Sequence, residues 1–319
     1  MALTVLLLLT GLALVVFGAD FLVEGASAIA RKAGISEFVI GLTIVGFGTS
    51  CPELVVSVTG AISGNADIAI GNVVGSNIFN TLLILGITAV ISPLAITKEN
   101  RRRDIPVAIA ATVLLLCCGM NHSFFGIGEA DVIDRWEGIL FLVLFAAYIF
   151  MCFKFNKSDE AGEAPKKEYR IPVAIILTLC GLAALIFGGD LFVDSATEIA
   201  HSLGVSDKFI AITLLAGGTS MPELATCIVA ASKKKGQLAL GNILGSNVFN
   251  ILLILGTSAV ITPLSCSGMT VIDFVALLVS SVLLFTAAYT GKKDKLDRFD
   301  GILLLACEAA YLTYLFITA

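Results

Sequence analysis

Ten stretches of this chain are long and apolar enough to cross a lipid bilayer, and that fact constrains its fold more than any other. A spanning helix needs roughly 20 mostly apolar residues. The candidates lie at about 2–18, 38–62, 68–91, 105–121, 136–153, 171–188, 208–231, 238–261, 271–289 and 300–318. No water reaches a backbone inside hydrocarbon, so such segments must satisfy their own N–H and C=O groups, as a helix does. The expected class is an all-α polytopic membrane protein with ten transmembrane helices. Composition agrees: 57% of the 319 residues are hydrophobic and 14% are charged, against about 25% charged in a soluble domain. A soluble globule, a disordered chain and a nucleic-acid binder are excluded, the last because a net charge of -5 leaves no basic stripe for phosphates. The first stretch has no basic segment before it and recurs deep in the chain, so it reads as a helix rather than a signal peptide.

Lys and Arg set the orientation. With the N-terminus outside, the inner loops hold 18 of the 20 basic residues, and the outer loops hold only Arg135 and Lys208. This split supports ten spans in an inner or plasma membrane with both termini outside. The charged stretch 154–170 reads as a cytoplasmic linker between a first unit, 1–153, and a second, 171–319. Eight cysteines without a CxxC, and two histidines, supply no soft-metal or haem ligand set. No cofactor is expected, nor an enzyme, nor an obligate protein partner beyond the surrounding lipid.

The two units are copies. Residues 41–94 and 211–264 align without a gap at an offset of 170, with 26 of 54 positions identical. The register extends upstream to 17–36 and 187–206, and DRWEGIL (134–140) resembles DRFDGIL (297–303) at an offset of 163. Five helices per copy is an odd number, so the second copy enters the membrane upside down. Inverted repeats are a plan of secondary transporters, whose sites lie near the midplane between the repeats.

The most identical stretches are polar ones inside apolar runs: GTSxPE at 48–53 and 218–223, and GNxxGSNxFN at 71–80 and 241–250. Thr49 and Ser50 share a helix face with Glu53, as do Thr219 and Ser220 with Glu223. Pro52 cannot donate to the carbonyl of Gly48, so the helix is expected to bend there. Gly46, Gly48, Ala216, Gly217 and Gly218 let the backbone open. Ser76 and Asn80, and likewise Ser246 and Asn250, are i, i+4 pairs that can add oxygen. Gly71 and Gly75, with Gly241 and Gly245, read as close-packing positions. A charge at mid-membrane costs a few kcal/mol even on insertion scales. No Lys or Arg falls well inside a span to pair with Glu53 or Glu223, so a bound cation is the expected partner. Carboxylates, hydroxyls, amides and carbonyls suit calcium or sodium. Asp20 and Asp190 read as interfacial, and Glu308, whose repeat partner is Phe145, is left outside the site.

At these motifs the chain resembles the cation/calcium antiporter superfamily, particularly sodium/calcium exchangers of the bacterial and archaeal type. The resemblance implies a central cluster with one calcium site and neighbouring sodium sites. Glu53 and Glu223 would be shared ligands, and Thr49 and Thr219 would offer backbone carbonyls. Ser50, Ser76 and the Gly46 carbonyl would line one sodium site; Ser220, Ser246 and the Ala216 carbonyl the other; Asn80 and Asn250 would sit between. Relatives often have an acid at the position of Asn250, and potassium-dependent members an aspartate, so two carboxylates argue against potassium dependence. The resemblance implies calcium-for-sodium antiport by alternating access, with the long helices at about 2–30 and 171–200 sliding across a fixed core. Calcium/proton antiport at the same carboxylates is the alternative.

Overall fold

The computed structural model describes residues 2–126, 130–155, 169–203, 216–290 and 294–318. Apart from four two-residue strands, its regular elements are helices. In chain order they are α1 (Ala2–Ala33), α2 (Glu37–Ile40), α3 (Gly46–Thr49), α4 (Cys51–Ile62), α5 (Ala66–Phe79), α6 (Leu85–Ile91), α7 (Ile105–Gly119), α8 (Asn121–Phe125), α9 (Arg135–Phe155) and α10 (Ile171–Ser202). There follow α11 (Ala216–Gly218), α12 (Met221–Ser232), α13 (Gly236–Val248), α14 (Gly256–Ile261), α15 (Val271–Thr290) and α16 (Arg298–Thr318). Seven described helices are individually long and apolar enough to cross a membrane, and α2 to α4 make a further, bent candidate. Large apolar side chains point outward along them, among them Phe17, Ile176, Phe187 and Ile302. In water such a surface would be costly; against lipid it is the required one.

Two helices run far past the apolar stretches that mark them. α1 and α10 are 32 residues each, about 48 Å at 1.5 Å per residue, against a hydrocarbon core of roughly 30 Å. They lie antiparallel along a seam of small residues spaced by seven: Gly11, Gly18 and Gly25 on α1, and Ala174, Gly181, Gly188 and Ser195 on α10. A seven-residue period keeps one stripe of each helix facing the other. The backbones nearly touch. A Cβ added to Gly18 would lie 2.8 Å from the Gly181 carbonyl oxygen, and one on Gly188 would lie 3.0 Å from that of Gly11. At one end Thr4 donates to Glu198 at 3.0 Å. On α1, Lys233 Nζ meets both Asp20 and Glu24 at 2.7 Å, tying the end of α12 to it. Asp20 is therefore ion-paired as well as interfacial, whereas Asp190 is exposed.

The core beneath this pair is α5 with α6 and α13 with α14. The span Gly236–Ile261 is 94% buried, against 28% for α1. It passes alongside α2 and the turn after it, running in the same direction. A Cβ on Gly41 would collide with the Leu238 carbonyl, one on Gly241 with the Phe38 carbonyl, and one on Gly245 would lie 2.5 Å from the Leu42 carbonyl. Gly241 and Gly245 thus act as the expected close-packing positions. Gly71 and Gly75 meet no such backbone among the described residues, and the repeat equivalents of Phe38 and Leu42, at 208 and 212, lie outside them. Two antiparallel bridges tie the units together: Leu94–Ala95 with Lys295–Leu296, and Val132–Ile133 with Ser265–Leu264. The repeat offsets of 170 and 163 carry the first bridge onto the second.

Expected helix 105–121 begins instead with a wide turn, Asn100–Asp104. Asp104 is buried there, held by Arg103 at 2.7 Å, Asn100 at 3.2 Å and Tyr148 at 3.4 Å. Glu308 is buried too, 2% exposed, with its Oε2 unpartnered among the described residues.

The seam makes a sharp prediction. Gly181→Ala should destabilise by about 1–3 kcal/mol, because overpacked backbone cannot yield. Gly189→Ala, on the same helix but meeting only Met221 Cβ at 3.9 Å, should be neutral or slightly stabilising. Thermal unfolding of the two purified variants in one detergent checks this; equal melting temperatures would contradict the packing described.

Candidate functional site

Each GTSxPE motif folds into a break. α3 ends at Thr49, Ser50 leaves helical geometry at φ -85 and ψ 7, and α4 starts at Cys51 with Pro52 in its first turn. The two pieces are bent by 48°. Proline explains it: position 52 has no N–H for the Gly48 carbonyl four residues back, and its ring would clash there, so Pro52 is accommodated in the first turn of a new helix. Ser220 repeats the geometry at φ -89 and ψ 8 ahead of α12. The break turns each serine away from its own carboxylate and towards the other unit.

The result is a crossed pair. Ser50 Oγ donates to Glu223 Oε1 at 3.0 Å, and Ser220 Oγ donates to Glu53 Oε1 at 3.1 Å. Ser246 adds a bond to Glu223 Oε1 at 3.3 Å, and Ser76 Oγ lies 3.3 Å from Ser220 Oγ. Both carboxylates are 1% exposed. Their second oxygens, Glu53 Oε2 and Glu223 Oε2, are buried without a partner among the described residues, and so are Asn80 Oδ1 and Asn250 Oδ1. Among those residues, four buried acceptors in two repeat-related pairs lack donors. No lysine or arginine nitrogen pairs with either carboxylate among the described residues.

The structure brings Ser50, Glu53, Ser76, Ser220, Glu223 and Ser246 together through these bonds. Asn80 and Asn250 lie one helical turn beyond Ser76 and Ser246, each in a wide turn with i→i+5 character, Asn80–Ile84 and Phe249–Leu255. Such turns displace a backbone carbonyl from the regular ladder and are common at functional sites. The Gly46 carbonyl accepts the Ser50 N–H at 3.0 Å, and the Thr49 hydroxyl lies 3.4 Å from it. Ala216 opens α11.

Sequence reasoning missed six asparagine and cysteine or serine partners. Thr49 Oγ1 donates to Asn242 Oδ1 at 3.1 Å, and Thr219 Oγ1 to Asn72 Oδ1 at 3.4 Å. The amide nitrogens then point back: Asn72 Nδ2 to Ser57 Oγ at 2.9 Å and to the Glu53 carbonyl at 3.2 Å, and Asn242 Nδ2 to Cys227 Sγ at 3.3 Å. Asn77 and Asn247 join Asn80 and Asn250. A usable signal was there, since all four asparagines are identical letters of the GNxxGSN repeat.

Chemically, the cluster is a hard-oxygen nest with two formal negative charges and, among the described residues, no protein cation paired to them. Burying two like charges is unfavourable, and a bound cation offsets that cost as it fills the four vacant acceptors. Carboxylate, hydroxyl and amide oxygens could hold calcium or sodium.

A family profile described as sodium/calcium exchanger protein matches residues 3–154 and 173–318. The chain belongs to the sodium/calcium exchanger family. Within that family, a putative antiporter of Alkalimonas amylolytica is 36% identical over 326 residues, covering 99% of each chain. A sodium/calcium exchanger of Methanosarcina acetivorans is 35% identical, covering 98% of each. Among solved structures, the sodium-calcium exchanger NCX_Mj soaked with 10 mM sodium and no calcium superimposes with a TM-score of 0.84, at 33% identity and covering 98% of each chain. The membrane class and the exchanger kinship read from the repeated motifs both hold.

For this exchanger the carboxylates carry a two-sided prediction. In chelator and sodium-free buffer, Glu53→Gln or Glu223→Gln should raise the melting temperature, because an unpaired buried charge is removed. Added calcium should raise the wild-type melting temperature, as any ligand of the folded state does, and should leave both variants unmoved. A calcium response surviving in both would place the ion elsewhere.

Proposed function

We propose that the chain is a secondary antiporter that exchanges calcium for sodium across the membrane, at a site near the midplane between its two units. The observation that carries this reading is the crossed serine–carboxylate pair with its four unpartnered oxygens. A pair of carboxylates neutralises one divalent ion or two monovalent ones, so calcium and sodium compete for the same negative charge. Glu53 and Glu223 are ligands to both ions. Thr49 and Thr219 contribute their backbone carbonyls, their hydroxyls being held by Asn242 and Asn72. Ser50 and Ser76 with the Gly46 carbonyl, and Ser220 and Ser246 with that of Ala216, line the sodium positions. Asn80 and Asn250 supply the oxygens between. The Gly46 carbonyl already accepts the Ser50 N–H and has its second lone pair to offer.

In this reading the chain crosses the membrane ten times as two inverted units of five helices, with 154–170 inside and both termini outside. Its support is the distribution of basic residues, the offset of 170 obeyed by every pair in the site, and the antiparallel course of α1 and α10. Alternating access would follow if the α1–α10 pair moves across the core, exposing the site to one side at a time. A ligand shifts such an equilibrium only by binding the two states differently.

Reconstituted vesicles test this directly. Sodium-loaded vesicles diluted into sodium-free medium should take up labelled calcium, and a sodium ionophore should abolish the uptake. Uptake indifferent to sodium but driven by an acid interior would overturn sodium coupling and select calcium/proton antiport. Glu53→Gln should reduce exchange to background in either case.

A further inference from the structure

Asn80 and Asn250 can serve a cation only if each presents its carbonyl oxygen and not its NH2. A side-chain amide is nearly symmetric in shape, so its orientation is decided by its hydrogen-bond partners. Both amides are almost fully buried, which makes those partners decisive. Asn80 Nδ2 donates to Asn247 Oδ1 at 3.2 Å, and Asn250 Nδ2 donates to Asn77 Oδ1 at 2.9 Å. Each amide nitrogen is thus tied by an asparagine of the opposite unit. Because the group is planar, fixing the nitrogen fixes the oxygen on the other side, and among the described residues neither of those oxygens has a donor.

The asparagines that do the tying are themselves held. Asn247 Nδ2 donates to Thr81 Oγ1 at 2.8 Å, and Asn77 Nδ2 donates to the Asn247 backbone carbonyl at 3.1 Å. Asn77 has its NH2 on a main-chain carbonyl, which only accepts, so it offers oxygen to Asn250, and rotating Asn250 by half a turn would set carbonyl against carbonyl. That arm has one direction, and the direction ends in an open acceptor. On the other arm the Thr81 hydroxyl can accept or donate, so the bonds run from Asn80 through Asn247 to Thr81 without Thr81 enforcing that direction. The two arms differ only at their outer anchor: Thr81 receives a bond, whereas its repeat equivalent, Ile251, cannot, so Asn77 turns to a main-chain carbonyl instead.

We infer that Asn77 and Asn247 are positioning residues of the exchange site, holding the Asn80 and Asn250 amides so that oxygen faces the transported cation. This rests on the antiport reading above. Without these acceptors the amides turn freely, and a donor competes with the cation in part of the population. The loss should fall on ion affinity and should be transmitted only through the paired amide.

The experiment measures sodium-driven calcium uptake in vesicles for wild type, Asn77→Ala, Asn77→Asp, Asn250→Ala, Asn80→Ala and the doubles that pair Asn77→Ala with each of the last two. Wild-type uptake that ignores sodium refutes the antiport reading and leaves the inference without its premise; the remaining outcomes apply once wild type exchanges. Asn77→Ala should raise the calcium KM by about tenfold, the equivalent of one charged-group hydrogen bond, with little change in the maximal rate. The same change should add less than about twofold when Asn250 is already alanine, and its full effect when Asn80 is, since interacting residues are non-additive and independent ones additive. Asn77→Asp keeps the acceptor and should hold the KM at or below wild type. An equal cost of Asn77→Ala in both backgrounds would show a merely structural role and overturn the inference. If Asn77→Ala does not fold, Asn77→Asp decides alone: a raised KM overturns positioning, and an unraised one supports it.

Discussion

The bond between each serine and the carboxylate of the other unit organises this molecule. Ser50 and Glu53 sit one turn apart in sequence, yet the break at Ser50 sends the hydroxyl across to Glu223, and Ser220 makes the return bond to Glu53. That exchange requires two helices to be broken at matching places, and both prolines are there to break them. It requires the units to meet at the breaks, which sets the tight approach of α13 to the segment Phe38–Leu42. It also leaves Oε2 of each glutamate buried with no donor among the described residues. The costly feature, buried negative charge, and the useful one, vacant oxygens, are the same atoms.

Around that crossing the backbone is opened wherever chemistry is needed and closed wherever only packing is. Wide turns begin at or beside Asn80 and Asn250, whose side-chain oxygens have no donor among the described residues. The α1–α10 pair, by contrast, has unbroken helices with a seam of glycine that brings main chains into contact. Packing of this kind in lipid relies on close approach of small residues rather than on hydrophobic driving force. The pair touches the core by fewer polar ties, Lys233 with Asp20 and Glu24 being the notable one. Partly exposed ion pairs contribute little to stability, of the order of 1 kcal/mol or less, so they fasten the pair without welding it.

Much of this was legible in the sequence. The apolar stretches mark the helices, the repeat marks the residues that face one another, and the prolines mark the breaks. Glu53, Glu223 and their serines stand out because polar letters recur inside apolar runs. What stayed hidden is what depends on distance along the chain. The partners of Thr49 and Thr219 are asparagines 193 and 147 positions away, and no local spacing ties them together. Asn72, Asn77 and their repeats could be flagged as identical, but their roles depend on which way an amide turns, and neighbours in space decide that. Hydropathy alone stops α1 at residue 18, because Asp20 and Glu24 interrupt the apolar run; the resemblance carried it to about 30, and the helix ends at Ala33 with both acids on Lys233. The glycine seam went unread since a seven-residue spacing of glycine carries no hydropathy signal.

The crossing also bears on how the two copies could have diverged. Within one unit the serine and the glutamate do not serve each other, so neither motif can be repaired from inside its own copy. A substitution in one GTSxPE answers to the letters of the other, some 170 positions away. Loops such as 63–67 and 233–237 face no such mutual demand, and there the copies share no letter. At the crossing, each half carries the letters that the other half needs.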